Sequence, residues 1–268
     1  MSKTSDIRAR VKEHLEGLAR AVDAKAQDEG FREALRAMAI FWRYSYFNQF
    51  MIRLQRPRAT HVMARLKWEA IGRNVKEGEE PILVLAPATP GWATSFIDVP
   101  VFDVRQTRGR KVPKLDLSLR GASQLWRKLE RAARELGVEV GYRALPSGIR
   151  GWSLGGKVEL LPGLPGRERT AVLAHELALE ILHQAEGKRA AKLKRPGPLR
   201  TKAEKETEAD ATAYVVLAVL GLPSKAPTYI AWQGGTGHAV LRSMTRIQRA
   251  VKAILEAADT PPLGPSAR

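Results

Sequence analysis

The feature that most constrains this chain is the segment Ala-His-Glu-Leu-Ala-Leu-Glu-Ile-Leu-His, which spans residues 174–183. In the H-E-x-x-H pattern, two histidines one helical turn apart bind zinc, and the glutamate between them acts as general base. Here His175 and Glu176 are present, but Leu179 occupies the position of the second histidine. An aliphatic side chain has no lone pair for a metal. The segment therefore predicts a zinc-hydrolase helix that lacks one ligand.

Nothing near this segment replaces the missing histidine. The chain has no cysteine and five histidines, so a metal would depend on imidazole and carboxylate groups. Glu180 lies five residues after His175 and points away from the ligand face. His183 lies roughly 12 Å further along the helix axis, so we interpret it as a capping or packing histidine. His238 has no predicted position near the site. Zinc is the one cofactor that the pattern allows, and it would bind weakly because two protein ligands remain.

A second helix carries Glu206 and Asp210, which the E-x-x-x-D spacing places on one face. In Glu-type zinc peptidases such a helix supplies the third metal ligand, and its aspartate holds the first histidine by a hydrogen bond. The alternative is a charged first turn that favours the helix dipole. The hairpin over residues 151–161 is open to two interpretations as well, as an edge strand for an extended substrate or as a simple structural turn.

The net charge of the chain is +17, with an isoelectric point near 10.4. Such an excess of cations predicts a polyanionic partner, most often nucleic acid, and the alternative is a generally basic, solvated surface. No apolar run approaches the roughly 18 residues of a membrane span, and the first residues lack the apolar core of a signal peptide. We therefore expect a cytoplasmic protein without a membrane partner.

Aromatic and basic residues alternate over residues 41–58, where aromatic faces could stack on unpaired bases while arginines neutralise phosphates. The alternative is that Phe41, Tyr44, Phe47 and Met51 form the core face of a helix. The candidate DNA-binding residues of this segment and the one after it are Arg43, Tyr44, Tyr46, Asn48, Arg53, Lys67, Trp68, Arg73 and Lys76.

The remaining patterns predict an α+β fold, with N-terminal helices and a small antiparallel sheet followed by a second unit that carries the H-E helix. Helices are expected over residues 1–38, 31–54, 61–72, 121–136, 204–220 and 238–257. Strands are expected over residues 81–86, 97–104 and 138–142, with a hairpin that turns at Gly155 and Gly156. Residues 105–117 are basic and contain proline, which predicts a linker.

Several short motifs, in this order, resemble ArdC-type antirestriction proteins. The N-terminal ones are Tyr44-Ser-Tyr-Phe-Asn48, residues 55–60, Trp68, residues 71–73, 76–79, 82–87 and 99–104. Those that follow are similar to a zinc-metallopeptidase domain of the ImmA/IrrE-like, gluzincin kind, and comprise residues 170–183, 206–214, 221–222 and 229–234. The resemblance implies a single-stranded DNA-binding domain over residues 1–112 and a metallopeptidase-like domain over residues 118–258. Residues 259–268 are expected to be a disordered tail.

The resemblance also implies residue roles and a function. By position, His175 and Glu206 would bind zinc, Glu176 would be the catalytic base, and Asp210 would hold His175. The implied function is that of an antirestriction protein from a plasmid or mobile element, which binds single-stranded DNA. Because Leu179 departs from the pattern, we expect a degenerate peptidase domain, a pseudoenzyme. The alternative is an active zinc-dependent metalloendopeptidase with Glu176 as general base.

Overall fold

The computed structural model describes residues 24–89, 92–112, 122–184, 200–222 and 237–258, together with residues 6, 9, 13 and 224. The predicted helix before residue 24, the tail after residue 258 and the motif over residues 229–234 lie outside this part. The helices are α1 (Ala24–Phe41), α2 (Tyr46–Gln55), α3 (Arg65–Ala70), α4 (Ala122–Glu135), α5 (Gly166–Leu179), α6 (Lys202–Val219) and α7 (Gly237–Ala257). The strands are β1 (Val62–Met63), β2 (Arg73–Val75), β3 (Ile82–Thr89), β4 (Trp92–Asp103), β5 (Thr107–Gly109), β6 (Glu139–Tyr142), β7 (Gly151–Ser153) and β8 (Lys157–Leu160).

The strands form three small sheets in the described part of the chain. The first has the order β1-β4-β3, the second pairs β2 with β5, and the third has the order β6-β8-β7. The expected pair of strands in the N-terminal half is present as the antiparallel hairpin β3–β4, in which Val84 lies opposite Val99. The mixed α+β class predicted from the sequence is therefore confirmed.

The helix predicted over residues 31–54 is wrong in one respect, because it is two helices with a corner between them. The α2 helix begins after Ser45, whose hydroxyl accepts a hydrogen bond from the Asn48 backbone N–H at 3.3 Å. The Gln49 side-chain amide donates to the carbonyls of Phe41 and Tyr44, at 3.1 and 3.0 Å. These bonds fasten the start of α2 to the end of α1 and to the corner between the two helices.

The linker predicted over residues 105–117 is also wrong in its first part. Val104–Gln106 forms a 3₁₀ turn, and β5 then pairs with β2 in an antiparallel ribbon. The sequence pattern misses this pairing because the partner strand lies more than 30 residues earlier in the chain. Residues 113–117 of the predicted linker lie outside the described part.

One hydrophobic core joins helices from both predicted domains. It includes Trp42 and Met51 from the N-terminal half together with Leu129, Leu173 and Met244 from the C-terminal half. The Gln248 side-chain amide also donates to the Trp42 carbonyl at 3.0 Å. The predicted domain limits at residues 112 and 118 remain predictions, but the packing of the two halves is continuous across them.

The C-terminal half places α5 between the sheet β6-β8-β7 and helix α6. Helix α6 begins at a capping box in which Thr201 and Glu204 exchange side-chain and backbone hydrogen bonds. It ends before Gly221, whose φ of 82° provides the left-handed residue that the sequence predicts there. None of the helices in the described ranges is long and apolar enough to cross a membrane.

Candidate functional site

Two helices bring the residues of the predicted metal site together. His175 on α5 lies with its Nδ1 atom 2.8 Å from Asp210 Oδ1, and with its Nε2 atom 3.2 Å from Glu206 Oε2, both on α6. Burial lowers the pKa of His175, but the hydrogen bond to Asp210 and the charges of Asp210, Glu176 and Glu206 outweigh it, so the pKa is raised above 6.5. The imidazole is therefore oriented by carboxylates on both sides, and their charges favour its protonated form.

The donor set fits part of a zinc site. Zinc–ligand bonds of about 2.0 Å at a tetrahedral angle separate two ligand atoms by about 3.3 Å, so the distance between His175 Nε2 and Glu206 Oε2 suits one shared ion. A catalytic zinc takes three protein ligands, and Leu179 stands where the third is expected. Among the described residues, no three His, Asp or Glu side chains are grouped so as to hold a metal ion. The residues present do not make a complete catalytic zinc site.

Leu179 takes part in aliphatic packing. Its side chain lies against a small cluster of buried residues that joins α5 to α6 and α7, made of Ala178, Leu182, Ala209 and Ala250. The position that would bear a metal-binding imidazole is thus used to pack these helices together.

Glu176, the predicted general base, is buried, with 8% of its surface exposed. Burial, opposed by the charge of His175 and assisted by the charges of Glu206 and Glu180, raises the pKa of Glu176 to about 7. Its side chain lies against Gly151 of strand β7, so that a β-carbon at Gly151 would be 2.7 Å from Glu176 Cγ. The carboxyl group is therefore held between the sheet and α5 with a pKa near neutrality.

Glu180 fastens the hairpin β7–β8 to the end of α5. Its carboxylate accepts hydrogen bonds from Ser153 Oγ at 2.9 Å and from the backbone N–H groups of Gly155 and Gly156 at 2.6 and 2.7 Å. It begins a π-helical turn, Glu180–Gln184, that follows α5 directly. The sequence does not predict this role of Glu180, although a pair of glycines at a turn indicates backbone N–H groups that a carboxylate can accept from.

A cleft of about 650 Å³ lies between residues 148–151, which lead into strand β7, and helix α5. Both His175 and Glu176 line it. Strand β7 forms the edge of its sheet, and Trp152 on it is half exposed. Arg150 at the cleft pairs with Glu168 at 2.6 Å.

His183 belongs to a buried charge cluster with Glu208 and Arg246, away from the cleft. Arg246 Nη2 lies 3.3 Å from His183 Nδ1 and 3.2 Å from Glu208 Oε2, and Glu208 is fully buried. Burial, followed by the charges of Arg246, Lys205 and Arg200, lowers the pKa of His183 to about 3. Its position is that of a packed histidine. The side chain of His238 lies outside the described part.

Four of the nine candidate DNA-binding residues line a single groove in the N-terminal half. Arg43, Tyr44, Asn48 and Lys67 surround a groove of about 610 Å³ between the corner of α1 and α2, helix α3 and the hairpin β3–β4. Its other walls are mainly apolar, from residues such as Met63 and Pro87.

The other five candidates lie elsewhere. Tyr46 and Trp68 are buried in the core, where Trp68 Nε1 donates to the Phe102 carbonyl at 2.8 Å, so their rings face no solvent. Arg53 lines a separate, smaller cavity beside α1. Arg73 and Lys76 donate hydrogen bonds to backbone carbonyls of the segment 104–110. These two cations stabilise the ribbon β2–β5.

Comparison with known proteins identifies a similar fold. No protein-family model matches the sequence, and no curated protein matches it. The Mn(II)-bound crystal structure of the antirestriction protein ArdC from plasmid R388 matches with a TM-score of 0.50 and 15% identity, over 97% of this chain and 99% of that one. The chain has an ArdC-like fold. The metal-free R388 ArdC structure matches with a TM-score of 0.44 and the same 15% identity, over 87% of this chain and 97% of that one.

Proposed function

We propose that this protein is a cytoplasmic antirestriction protein of ArdC type that binds single-stranded DNA and carries a degenerate zinc-peptidase site. The observation that carries the proposal is the groove lined by Arg43, Tyr44, Asn48 and Lys67, four residues that the sequence selects for DNA binding. The net charge of +17 supports a polyanionic partner.

The cations of the groove suit a phosphate. Burial lowers the pKa of Lys67, and the nearby charge of Arg43 lowers it further. Burial also lowers the pKa of Arg43, against the raising effect of Glu256, and its guanidinium lies 3.8 Å from the ring centroid of Trp42. An anion bound between Arg43 and Lys67 would offset their mutual repulsion and their desolvation.

The groove walls are fixed by hydrogen bonds before any ligand arrives. The Asn48 side chain donates to the Leu85 carbonyl at 2.8 Å and accepts from the Leu85 N–H at 2.9 Å. The Tyr44 hydroxyl donates to the Val62 carbonyl at 2.9 Å. Asn48 and Tyr44 therefore shape the groove, and we assign phosphate contact to its cations.

The similarity in fold to R388 ArdC supports the proposed role in antirestriction. R388 ArdC is an antirestriction protein from a plasmid, and one of its structures contains Mn(II). We infer a similar role in mobile DNA for this chain. A metal ion here would have His175 and Glu206 as its protein ligands, so we infer weak metal binding and no peptidase activity. The active-peptidase alternative is not favoured, because Leu179 removes a ligand from the site.

The binding proposal is tested with a fluorescent oligothymidine and the full chain, by anisotropy over a series of salt concentrations. The double variant Arg43→Gln/Lys67→Gln is compared with Arg127→Gln/Arg134→Gln, which loses the same charge from exposed positions on α4. We expect the groove variant to bind at least about tenfold more weakly. The slope of log affinity against log salt concentration should fall in magnitude by about 1.4, at roughly 0.7 for each lost phosphate contact. Equal losses in both variants would show that the groove is not the site.

The state of the peptidase site is tested separately by elemental analysis of protein purified without chelator and then supplied with zinc. We expect a zinc content well below one equivalent. An equimolar zinc content, together with cleavage that is lost in Glu176→Gln, would establish the active-peptidase alternative instead.

A further inference from the structure

A second basic element of the N-terminal half is the ribbon formed by strands β2 and β5. Its register pairs Arg73 with Gly109, Asn74 with Arg108 and Val75 with Thr107. Val75 and Thr107 are buried and face a small core that contains Trp68 and Phe102. Asn74 and Arg108 are exposed and lie side by side on the opposite face. The ribbon thus has an apolar inner face and a polar outer face.

The charged residues of strands β2 and β5 are all cations. Residues 73–76 and 105–111 contain six cations and no carboxylate, the cations being Arg73, Lys76, Arg105, Arg108, Arg110 and Lys111. Two of the six, Arg73 and Lys76, are engaged with backbone carbonyls of the ribbon and its flanks. The other four side chains are exposed. Strand β5 and its flanks therefore carry four exposed cations within seven residues of sequence.

The ribbon is rigid enough to hold this charge in one arrangement. Arg73 Nε donates to Thr107 Oγ1 at 2.8 Å, and its Nη2 atom donates to the Thr107 carbonyl at 3.0 Å. Gly109 has a φ of 134°, and a β-carbon there would be 2.9 Å from the Arg73 Cα atom. Only glycine permits this close approach of the two strands. A surface that is already ordered loses little entropy when it binds.

We propose that the ribbon β2–β5 is a second nucleic-acid contact and that it binds the phosphate backbone of a DNA duplex. Two-stranded antiparallel ribbons fit the major groove, which is about 12 Å wide, and exposed arginines there contact phosphates or base edges. Within the described residues the ribbon's outer face has no aromatic side chain, because Trp68 and Phe102 lie beneath it. It therefore lacks the stacking platform that unpaired bases require. The groove at Arg43 and the ribbon would take single-stranded and double-stranded DNA respectively.

The experiment uses the full chain, a fluorescent duplex of about 20 base pairs and a short oligothymidine of about 6 nucleotides. The variant Arg105→Gln/Arg108→Gln is compared with Arg127→Gln/Arg134→Gln on α4, which loses the same charge. We expect the ribbon variant to bind the duplex at least about tenfold more weakly. The slope of log affinity against log salt concentration should fall in magnitude by about 1.8. Its affinity for the short oligothymidine is expected to stay within about twofold of wild type.

Three results would overturn this inference. Equal loss of duplex affinity in the ribbon and α4 variants would mean that the whole basic surface binds without a distinct site. Equal loss for duplex and oligothymidine in the ribbon variant would mean that the ribbon contacts single strands. Unchanged duplex affinity would mean that the ribbon is only a solvated charged face. None of these results bears on Arg43 and Lys67, so the proposal for the groove is tested independently.

Discussion

The backbone of Gly151 lies directly against the side chain of Glu176. A β-carbon built on Gly151 would be 2.8 Å from Glu176 Oε1 and 2.6 Å from Val172 Cγ1. The strand can approach helix α5 this closely only because residue 151 has no side chain. This contact holds Glu176 buried, and burial is the largest cause of its raised pKa.

We expect Gly151→Ala to push Glu176 toward solvent. The variant should lower the free energy of unfolding by about 1–3 kcal/mol, as other overpacked sites do, and should lower the pKa of Glu176 toward its usual value. Gly141→Ala on β6 is the matched control, since its nearest neighbour is the flexible end of Lys157 at 3.4 Å. Chemical denaturation and carbon-detected NMR titration measure the two effects. Equal destabilisation by the two substitutions would contradict this account.

We expect Leu179→His to create a stronger metal site. The new imidazole lies one helical turn from His175 and would complete a three-ligand set with Glu206, so zinc affinity should rise by more than about tenfold. Without metal, the loss of aliphatic packing should cost about 1–3 kcal/mol. Calorimetric zinc titration checks the first effect, with Leu179→His/Glu206→Gln as control. A single variant that binds no more zinc than wild type would mean that residue 179 does not face the ligands.

We expect Glu180→Gln to loosen the hairpin β7–β8. The neutral amide would present an N–H group where the carboxylate now accepts a backbone hydrogen bond, which costs about 2–3 kcal/mol. Amide hydrogen exchange of residues 151–160 should become faster. Glu139→Gln on β6 is the control, because that carboxylate is largely exposed and pairs with Lys157. Exchange rates in Glu180→Gln that match those of the control would exclude this anchoring role.

We expect stability to fall in acid because of His183. Its pKa is about 3 in the folded protein, against 6.5 when unfolded, so below pH 6.5 the unfolded chain binds a proton that the folded chain does not. The free energy of unfolding should therefore decrease by up to about 1.4 kcal/mol per pH unit between pH 6.5 and 3. His183→Gln should show a flatter dependence between pH 7 and 5.5. The prediction would be contradicted if the free energy of unfolding changed with pH by the same amount in the wild type and in His183→Gln.

Local patterns in the sequence predict much of the C-terminal half. The glycine pair at residues 155 and 156 marks the hairpin turn, and Gly221 marks the end of α6. The H-E and E-x-x-x-D spacings bring His175, Glu206 and Asp210 to facing surfaces of two helices. These features depend on helical periodicity and on glycine conformations, which a short stretch of sequence determines.

Tertiary partners decide what the sequence could not show. Tyr46 and Trp68 have the same aromatic–basic surroundings as Tyr44, yet both are buried, and the Trp68 indole bonds to a carbonyl 34 residues away. The corner between α1 and α2 was missed because apolar spacing continues through it, while Ser45 and Gln49 form it through side-chain hydrogen bonds. The role of Glu180 depends on a turn about 25 residues earlier.

Trp42 connects the groove of the N-terminal half to the helices of the C-terminal half. The Arg43 guanidinium lies over the Trp42 ring at the edge of the groove. Trp42 also belongs to the same hydrophobic core as Leu173 on α5, the helix that carries His175. The Trp42 carbonyl accepts a hydrogen bond from Gln248 on α7. A ligand that contacts Arg43 in the groove therefore also restrains Trp42 and the core that it shares with α5 and α7. We expect DNA bound in the groove to slow hydrogen exchange in the C-terminal half, which would thereby report what the groove holds.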